Sequence, residues 1–364
     1  MTDDRRWMQA ALALSSRGLG RVWPNPAVGC VIVASGRVVG RGRTADGGRP
    51  HAETQALAQA GPAARGATAY VTLEPCAHHG QTPPCAEALI AAGIARVVTA
   101  LRDPDPRVDG GGHDRLRAAG IVVTEDACTA EAARLQAGFL TRLRLGRPMV
   151  TLKLATSLDG RIATAGGQSQ WITGPAARAH VHAQRACHDA VMVGAGTARA
   201  DDPRLTVRGL GPRPQPVRIV VSRRLDVPQD SALTRSTAEA PVWMVHGPQA
   251  PAAKRAALTA RGVTLIEAPT DGAGQLDLAC ALRMLGDRGL TRVYCEGGGS
   301  YAASLLQADL VDRMDSYTAG IAIGAEGRPA LGVMGLDALT QAPRLALTDT
   351  RRIGPDILHR WARP

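Results

Sequence analysis

His51-Ala52-Glu53, followed by Glu74-Pro75-Cys76-Ala77-His78-His79-Gly80-Gln81-Thr82-Pro83-Pro84-Cys85, decides how the first half of this chain is read. A hydrolytic zinc centre needs three protein ligands, an open fourth position for water, and a carboxylate that is not itself a ligand. His51, Cys76 and Cys85 supply the ligands, and Glu53 supplies the carboxylate. Residues 51–57 carry an apolar helical pattern that ends at Gly61-Pro62. Pro83 and Pro84 suit the first turn of a second helix over 85–92, closed by Gly93. Cys76 follows directly on a strand-like run, 68–73. The three ligands are therefore expected where two helix N-termini meet, and those positive ends favour the thiolate forms of Cys76 and Cys85.

The zinc deaminases carry His-x-Glu followed by Pro-Cys-x-x-Cys, with the glutamate moving protons toward the departing amine. The first half of that pattern is present, whereas the two cysteines stand further apart than in the short form. A structural zinc knuckle, or two unrelated core cysteines, is the competing reading. It would fill the fourth position with another Cys or His and has no use for Glu53. His78 or His79 could serve as that fourth ligand, but a loop histidine beside an open metal position fits a substrate contact better, and we assign that role to His78.

The spaced form Glu-Pro-Cys-x-His-x-Gly-x-Thr-Pro-Pro-Cys, together with Pro24-Asn25-Pro26-x-Val28-Gly29, resembles the bifunctional deaminase-reductases of riboflavin biosynthesis. The resemblance continues through Ser157-Leu158-Asp159-Gly160-Arg161-Ile162-Ala163, Ser169-Gln170-Trp171-Ile172-Thr173, Gly194-Ala195-Gly196-Thr197, Asp201-x-Pro203-x-Leu205-Thr206-x-Arg208 and Glu296-Gly297-Gly298-Gly299-Ser300. It implies an α/β chain with an N-terminal cytidine-deaminase-like three-layer zinc domain and a C-terminal domain similar to dihydrofolate reductase. It also implies Zn2+ and NADPH as cofactors, phosphoribosyl pyrimidines as substrates, and a homo-oligomer. By the same resemblance Asn25 touches the substrate ring, and Ser169, Arg185, Leu205, Arg208 and Glu296 hold the second substrate. Ala155, Trp171, Thr197, Asp201, Ser222, Gly298, Gly299 and Ser300 meet the cofactor, while Lys153 and Asp201 handle protons. Many relatives carry a histidine where this chain has Thr44, and the likeness loosens beyond Ser304.

At 364 residues the chain suggests two domains, with a boundary at Gly146-Arg147-Pro148 after a helical pattern over 131–145. We divide it at 1–146 and 147–364. Before the zinc ligands, runs 28–34 and 38–44 joined at Ser35-Gly36 read as a β-hairpin, and residues 7–14 as an amphipathic helix. No run approaches the ~18 apolar residues of a membrane span. The acidic start and seven cysteines without disulfide spacing point to the cytoplasm.

A net charge of +11 would suggest nucleic acid if it were clustered. Only Lys153 and Lys254 are lysines, the arginines are dispersed, and Phe139 is the single phenylalanine, so neither a phosphate stripe nor a base-stacking platform is present. The two glycine-rich segments that follow strand-like runs, 194–197 and 296–300, suit a single dinucleotide. They lack the G-x-G-x-x-G fingerprint of a Rossmann domain. Ser222-Arg223-Arg224, after a β-branched run over 216–221, offers guanidiniums for the 2′-phosphate of NADPH. A tRNA or free-nucleotide deaminase with an unrelated second domain would share the zinc ligands without needing these segments.

Overall fold

Asp3–Ser16 forms helix α1, which buries Met8, Ala11, Leu12 and Ser15 along one helical stripe. The computed structural model describes residues 3–77, 83–105 and 108–364. It falls into two units, Met1–Gly146 and Arg147–Pro364. In the first, β1 (Gly29–Ala34) and β2 (Arg37–Arg43) pair antiparallel. Ser35 and Gly36 join them at φ 47° and 72°, as the two central residues of a type I′ turn require. There follow α2 (Ala52–Ala60), β3 (Thr68–Val71), α3 (Cys85–Ala91), β4 (Arg96–Thr99), α4 (Gly111–Ala118), β5 (Val122–Thr124) and α5 (Thr129–Leu145). The sheet order is β2-β1-β3-β4-β5, with β3, β4 and β5 parallel. Alternate residues of β1 face opposite layers. Cys30 and Ile32 pack with Ala52, Ala56 and Leu89 of α2 and α3, whereas Val31 and Val33 pack with Met8, Ala11 and Ala132 of α1 and α5. This is the three-layer arrangement expected. Helix α4 and strand β5 lie in a stretch to which the sequence pattern assigns no element.

The layer that carries the zinc ligands depends on two glycines of β2. A Cβ at Gly40 would lie 2.1 Å from the Ala56 carbonyl oxygen, and one at Gly42 would lie 2.3 Å from that of Ala52. Both are hard contacts with helix backbone. Only glycine lets α2 approach the sheet this closely, and α2 begins at the metal-ligand histidine.

The second unit is built on β6 (Met149–Ser157), β7 (Arg161–Ala163), α6 (Pro175–Arg185), β8 (Ala190–Gly194), α7 (Ala195–Asp201), β9 (Val217–Val221), β10 (Val242–His246), α8 (Ala252–Ala260), β11 (Thr264–Glu267), α9 (Leu278–Asp287), β12 (Arg292–Cys295), α10 (Gly299–Gln307), β13 (Arg313–Ala319), β14 (Arg328–Pro329), β15 (Ala346–Ile353) and β16 (Asp356–Ala362). Its main sheet runs β11-β10-β9-β8-β12-β6-β13-β16-β15. From β11 to β13 every neighbouring pair is parallel, and the β16–β15 hairpin closes one side antiparallel. The chain order reverses around β12, and in open α/β sheets the carboxyl ends of the strands at such a reversal are where ligands bind.

His188 sits wholly inside this unit, between the Gln184 carbonyl (Nδ1, 2.7 Å) and the Thr151 hydroxyl (Nε2, 3.0 Å), and stacks on Tyr294 at 4.9 Å. Nδ1 donates to the carbonyl, which can only accept, and because burial keeps the ring neutral Nε2 accepts from the Thr151 hydroxyl. Burial holds its pKa down to about 3. The unfolded chain protonates this histidine near pH 6.5 while the folded chain does not, so the contribution is complete above pH 6.5 and is lost as pH falls toward 3. Across that window the unfolding free energy of the wild type minus that of His188→Gln should change by up to about 1.4 kcal/mol per pH unit. Parallel pH dependences in urea titrations of the two proteins would exclude this.

Candidate active sites and metal centre

His51 is the N-cap of α2, Cys85 is the first residue of α3, and Cys76 lies in the loop after β3. Pro84 occupies the N-cap of α3 rather than its first turn. The structure brings the three side chains together. His51 Nδ1 stands 3.3 Å from Cys85 Sγ and 3.7 Å from Cys76 Sγ, and all three donor atoms lie within 4.8 Å of one another. Zinc bonds of about 2.3 Å to sulfur and about 2.0 Å to nitrogen give tetrahedral edges of about 3.5–3.8 Å. The donor set and its spacing therefore fit a zinc ion. The Cys85 backbone N–H also donates to Cys76 Sγ at 3.3 Å. Hydrogen bonds from Cys85 and His51 pull the Cys76 thiol down to about 4, as expected of a thiolate that accepts the first amide of a helix.

A cavity of about 340 Å³ opens beside these residues, lined by His51, Glu53 and Cys76 and by Asn25, Thr44 and Phe139. Glu53 is almost fully buried. Burial first, and the charge of Cys76 second, push its carboxyl up to about 7, in the range suited to taking and returning a proton at neutral pH. Asn25 donates from Nδ2 to the Gly48 carbonyl at 2.9 Å. Gly48, at φ 89°, leaves no room for a Cβ, which would fall 2.2 Å from that nitrogen. Thr44 accepts from the Val28 amide and donates to the Pro26 carbonyl, so it braces the Asn25 loop. His78 lies outside the described residues.

In the second unit Gly194 ends β8, and Ser222 and Glu296 directly follow the carboxyl ends of β9 and β12. Leu152 pairs with Cys295, which sets Lys153 of β6 level with Glu296, the residue after β12. Ala155 lies two residues further along the same face of β6. Burial lowers the Lys153 pKa, and the Glu296 and Asp201 charges oppose that shift. Gly194 and Gly298 are the N-caps of α7 and α10. The Gly298 amide donates to Thr197 Oγ1 at 2.8 Å, which ties the two glycine-rich segments together. A Cβ at Gly297 would lie 2.6 Å from the Tyr301 ring and 3.3 Å from the Gly194 nitrogen. Helix α10 starts with no side-chain cap, so amides of its first turn, at Gly299 and Ser300, suit a phosphate. Ser222 is buried at the end of β9 and accepts from the Asp226 amide; Arg223 bonds the Gly274 carbonyl, and Arg224 is exposed.

Leu205 is buried at φ 53°, an outlying conformation for a bulky side chain. Arg208 is exposed, with its amide bonded to His182 Nδ1. Trp171 is also exposed, its ring beneath the Arg178 guanidinium at 4.7 Å; Ser169 lies two residues before it. Arg185, expected as a substrate contact, donates to Glu296 through Nε (2.6 Å) and Nη2 (2.9 Å).

Residues 1–101 match the family model for the cytidine and deoxycytidylate deaminase zinc-binding region, and residues 148–359 match the RibD C-terminal domain. The riboflavin biosynthesis protein RibD of Escherichia coli is 42% identical, over 98% of each chain. The chain belongs to the RibD family. Among solved structures, RibD of Acinetobacter baumannii superposes with a TM-score of 0.88 at 40% identity, covering 99% of this chain and 98% of that one. A Thermotoga maritima protein described as a diaminohydroxyphosphoribosylaminopyrimidine deaminase and 5-amino-6-(5-phosphoribosylamino)uracil reductase superposes at 0.86, with 33% identity over 99% of both chains. Like other RibD proteins, this chain is a bifunctional deaminase and reductase. A deaminase with an unrelated second domain is thereby set aside.

The Glu-Pro-Cys motif of this RibD chain contains a residue whose work the sequence does not reveal. Glu74 is buried, and its carboxylate accepts the amides of Gly112 (2.9 Å), Gly110 (3.1 Å), Asp103 (3.2 Å) and His113 (3.2 Å). It thereby fixes the loop that carries Asp103 and Asp105 into the cavity wall. A Cβ at Gly112 would lie 2.0 Å from the Pro75 carbonyl oxygen, so the glycine run 110–112 is the one sequence signal of this approach. An amide in place of the carboxylate would turn a donor toward two of these N–H groups. Glu74→Gln should therefore destabilise the first unit by about 3 kcal/mol, whereas Glu87→Gln, at the exposed Arg115 pair, should cost less than about 1 kcal/mol. Equal unfolding midpoints for the two variants in urea would mean that the cage contributes nothing.

Proposed function

We propose that residues 1–146 hydrolyse the 2-amino group of 2,5-diamino-6-(5-phosphoribosylamino)pyrimidin-4(3H)-one, and that residues 147–364 reduce the ribosyl group of the resulting 5-amino-6-(5-phosphoribosylamino)uracil to ribityl with NADPH. The observation that carries the reading is the His51, Cys76 and Cys85 cluster opening on the same cavity as buried Glu53, in a chain whose other half matches the RibD C-terminal domain.

Zinc, when bound by the three ligands, would acidify a water toward neutrality. Glu53 takes the proton that this water loses and delivers it to the pyrimidine ring and then to the departing amine, a role for which a carboxyl poised near neutrality is suited. Asn25, fixed by Gly48, orients the ring. His78 is the further contact expected there. In the second unit NADPH would supply hydride to the sugar C1. Lys153 delivers a proton to the sugar ring oxygen as the ring opens, and Asp201 and Glu296 balance its charge. Ser169, Leu205 and Arg208 border the substrate, while Ala155, Trp171, Thr197, Ser222, Gly298, Gly299 and Ser300 border the cofactor. Two cysteine ligands and a reduced nicotinamide suit the reducing cytoplasm. A second copy of the chain is the partner we propose, since Val333, Leu336 and Leu339 stand exposed and β15 is an unpaired sheet edge.

Incubation of the purified protein with the diaminopyrimidine ribotide should release ammonia without NADPH and consume NADPH only after deamination. Glu53→Gln should retain zinc and still reduce supplied deaminated substrate, with deamination down roughly 10²–10⁴-fold. Cys85→Ala should lose the metal and destabilise the first unit. Ammonia release at wild-type rate from Glu53→Gln would remove the proton role. Replacing both Arg223 and Arg224 by alanine should raise the KM for NADPH roughly tenfold and leave that for NADH unchanged. Equal loss with both cofactors would assign these arginines to the fold.

A further inference from the structure

After β13 the chain crosses residues 320–334 with only the two-residue strand β14, in the stretch where the sequence motifs give out. It is nevertheless fastened along its length. The Ile321 carbonyl accepts the Leu158 amide at 2.8 Å, and the Ile323 and Gly324 amides donate to the Asp159 carboxylate. Strand β14 pairs with β7, and the Ala330 amide donates to the Gly160 carbonyl at 3.0 Å. The segment then meets α10. The Gly332 amide donates to the carbonyl of Gly299, the first residue of that helix, at 2.9 Å, and Nε2 of Gln307, its last residue, donates to the Met334 carbonyl at 2.8 Å. Both sides of the contact need glycine. A Cβ at Gly299 would lie 2.9 Å from the Pro329 carbonyl oxygen and 3.3 Å from the Gly332 nitrogen, while one at Gly332 would lie 2.9 Å from Ser300 Cα.

Resting on the reading of the second unit as the reductase, we propose that residues 327–334 are a strap that pre-forms the cofactor's pyrophosphate site, with Gly332 as its positioning residue: seated on Gly299 and Ser300, it holds the first turn of α10 with its amides ready for the phosphates. Helix α10 begins on a run of glycines and has no side-chain cap. Glycine loses more conformational freedom on ordering than any other residue, so a phosphate that had to organise this turn as it bound would lose affinity to that ordering. The strap meets the cost beforehand, because its bond to Gly299 and its packing on Ser300 need no ligand. It takes the Gly299 carbonyl and leaves the first-turn amides, which have no partner within the helix, to the phosphates. The Gly298 amide is already committed to Thr197, so Gly332 supplies the second fastening of the same turn. Pyrophosphate is common to NADPH and NADH, and the strap therefore serves both alike, in contrast to Arg223 and Arg224.

Single variants of the full-length protein test this. Gly332→Ala sets a methyl against Ser300, and Gln307→Ala removes the hold on Met334. Gly320→Ala is the control, since a Cβ there would meet nothing within 4 Å. NADPH titrated into the protein without the second substrate, and followed by its fluorescence, should bind Gly332→Ala about tenfold more weakly than wild type. Gln307→Ala should shift the same way by less, and Gly320→Ala not at all. NADH affinity should fall by the same factors, whereas that of adenosine 2′-monophosphate, which lacks the pyrophosphate, should hold. In turnover Gly332→Ala should raise the KM for either cofactor, with kcat, the KM for the ribotide and ammonia release retained. Unchanged NADPH affinity, equal weakening of adenosine 2′-monophosphate, or a loss of kcat at saturating cofactor would overturn the proposal. Amide hydrogen exchange read by mass spectrometry checks the contact without any ligand: the first-turn amides of α10 should exchange several-fold faster in Gly332→Ala than in wild type or Gly320→Ala. Equal rates would sink the strap. A wild-type protein that binds no NADPH would refute the reductase reading, while the exchange rates would still decide whether Gly332 orders the turn.

Discussion

A helix can settle on a sheet only as closely as the intervening Cβ atoms allow, and in the first unit Gly40 and Gly42 remove that limit beneath α2. The helix drops until its alanines, Ala52, Ala56 and Ala60, are buried against the sheet. Its start then comes level with the start of α3, and the nitrogen of His51 meets the sulfurs of Cys76 and Cys85 at metal-ligand spacing. One turn of the same helix also turns Glu53 into the cavity. A larger residue in β2 would lift His51 and Glu53 together, so the donor cluster and the cavity carboxylate rest on the same backbone contact.

The wall opposite α2 is set by a carboxylate rather than by packing. Glu74 replaces solvent for three backbone amides at the entrance to α4 and for that of Asp103, where the helix start would otherwise leave buried donors unmet. Its position two residues before Cys76 couples the loop bearing Asp103 and Asp105 to a metal ligand. The cavity is thus lined by residues of a closely seated helix and of a loop whose amides are held by a buried carboxylate.

In the second unit the chemistry lies at strand ends. Parallel strands deliver their carboxyl termini to one edge, and the reversal of strand order around β12 opens that edge between β8 and β6. Two cations and two carboxylates meet there: Arg185 takes both oxygens of Glu296, and Lys153 lies in the field of Glu296, Arg185 and Asp201. Enclosed charge is stable only when it has a defined partner, and for Arg185 and Glu296 that partner is the other.

The sequence by itself determined what depends on short spacing. The His51, Glu53, Cys76 and Cys85 set, the Ser35-Gly36 hairpin, the helix ending at Gly146 and the two glycine-rich strand ends could all be read because each is a local pattern with a local physical cause. It also determined the family, since the motifs are spread over both halves. Tertiary structure alone decided which distant groups pair. Glu74 bonds amides 29 to 39 residues away, and Arg185 meets Glu296 across 111 residues; no periodicity encodes either contact. The α4 and β5 stretch escaped the sequence reading for the same reason, because its helix starts on glycines held by a distant carboxylate rather than on a capping residue of its own. Arg185 was legible as a residue of the site. That its partner is Glu296 was decided by strand order, which places β12 beside β6 and the end of α6 above them both.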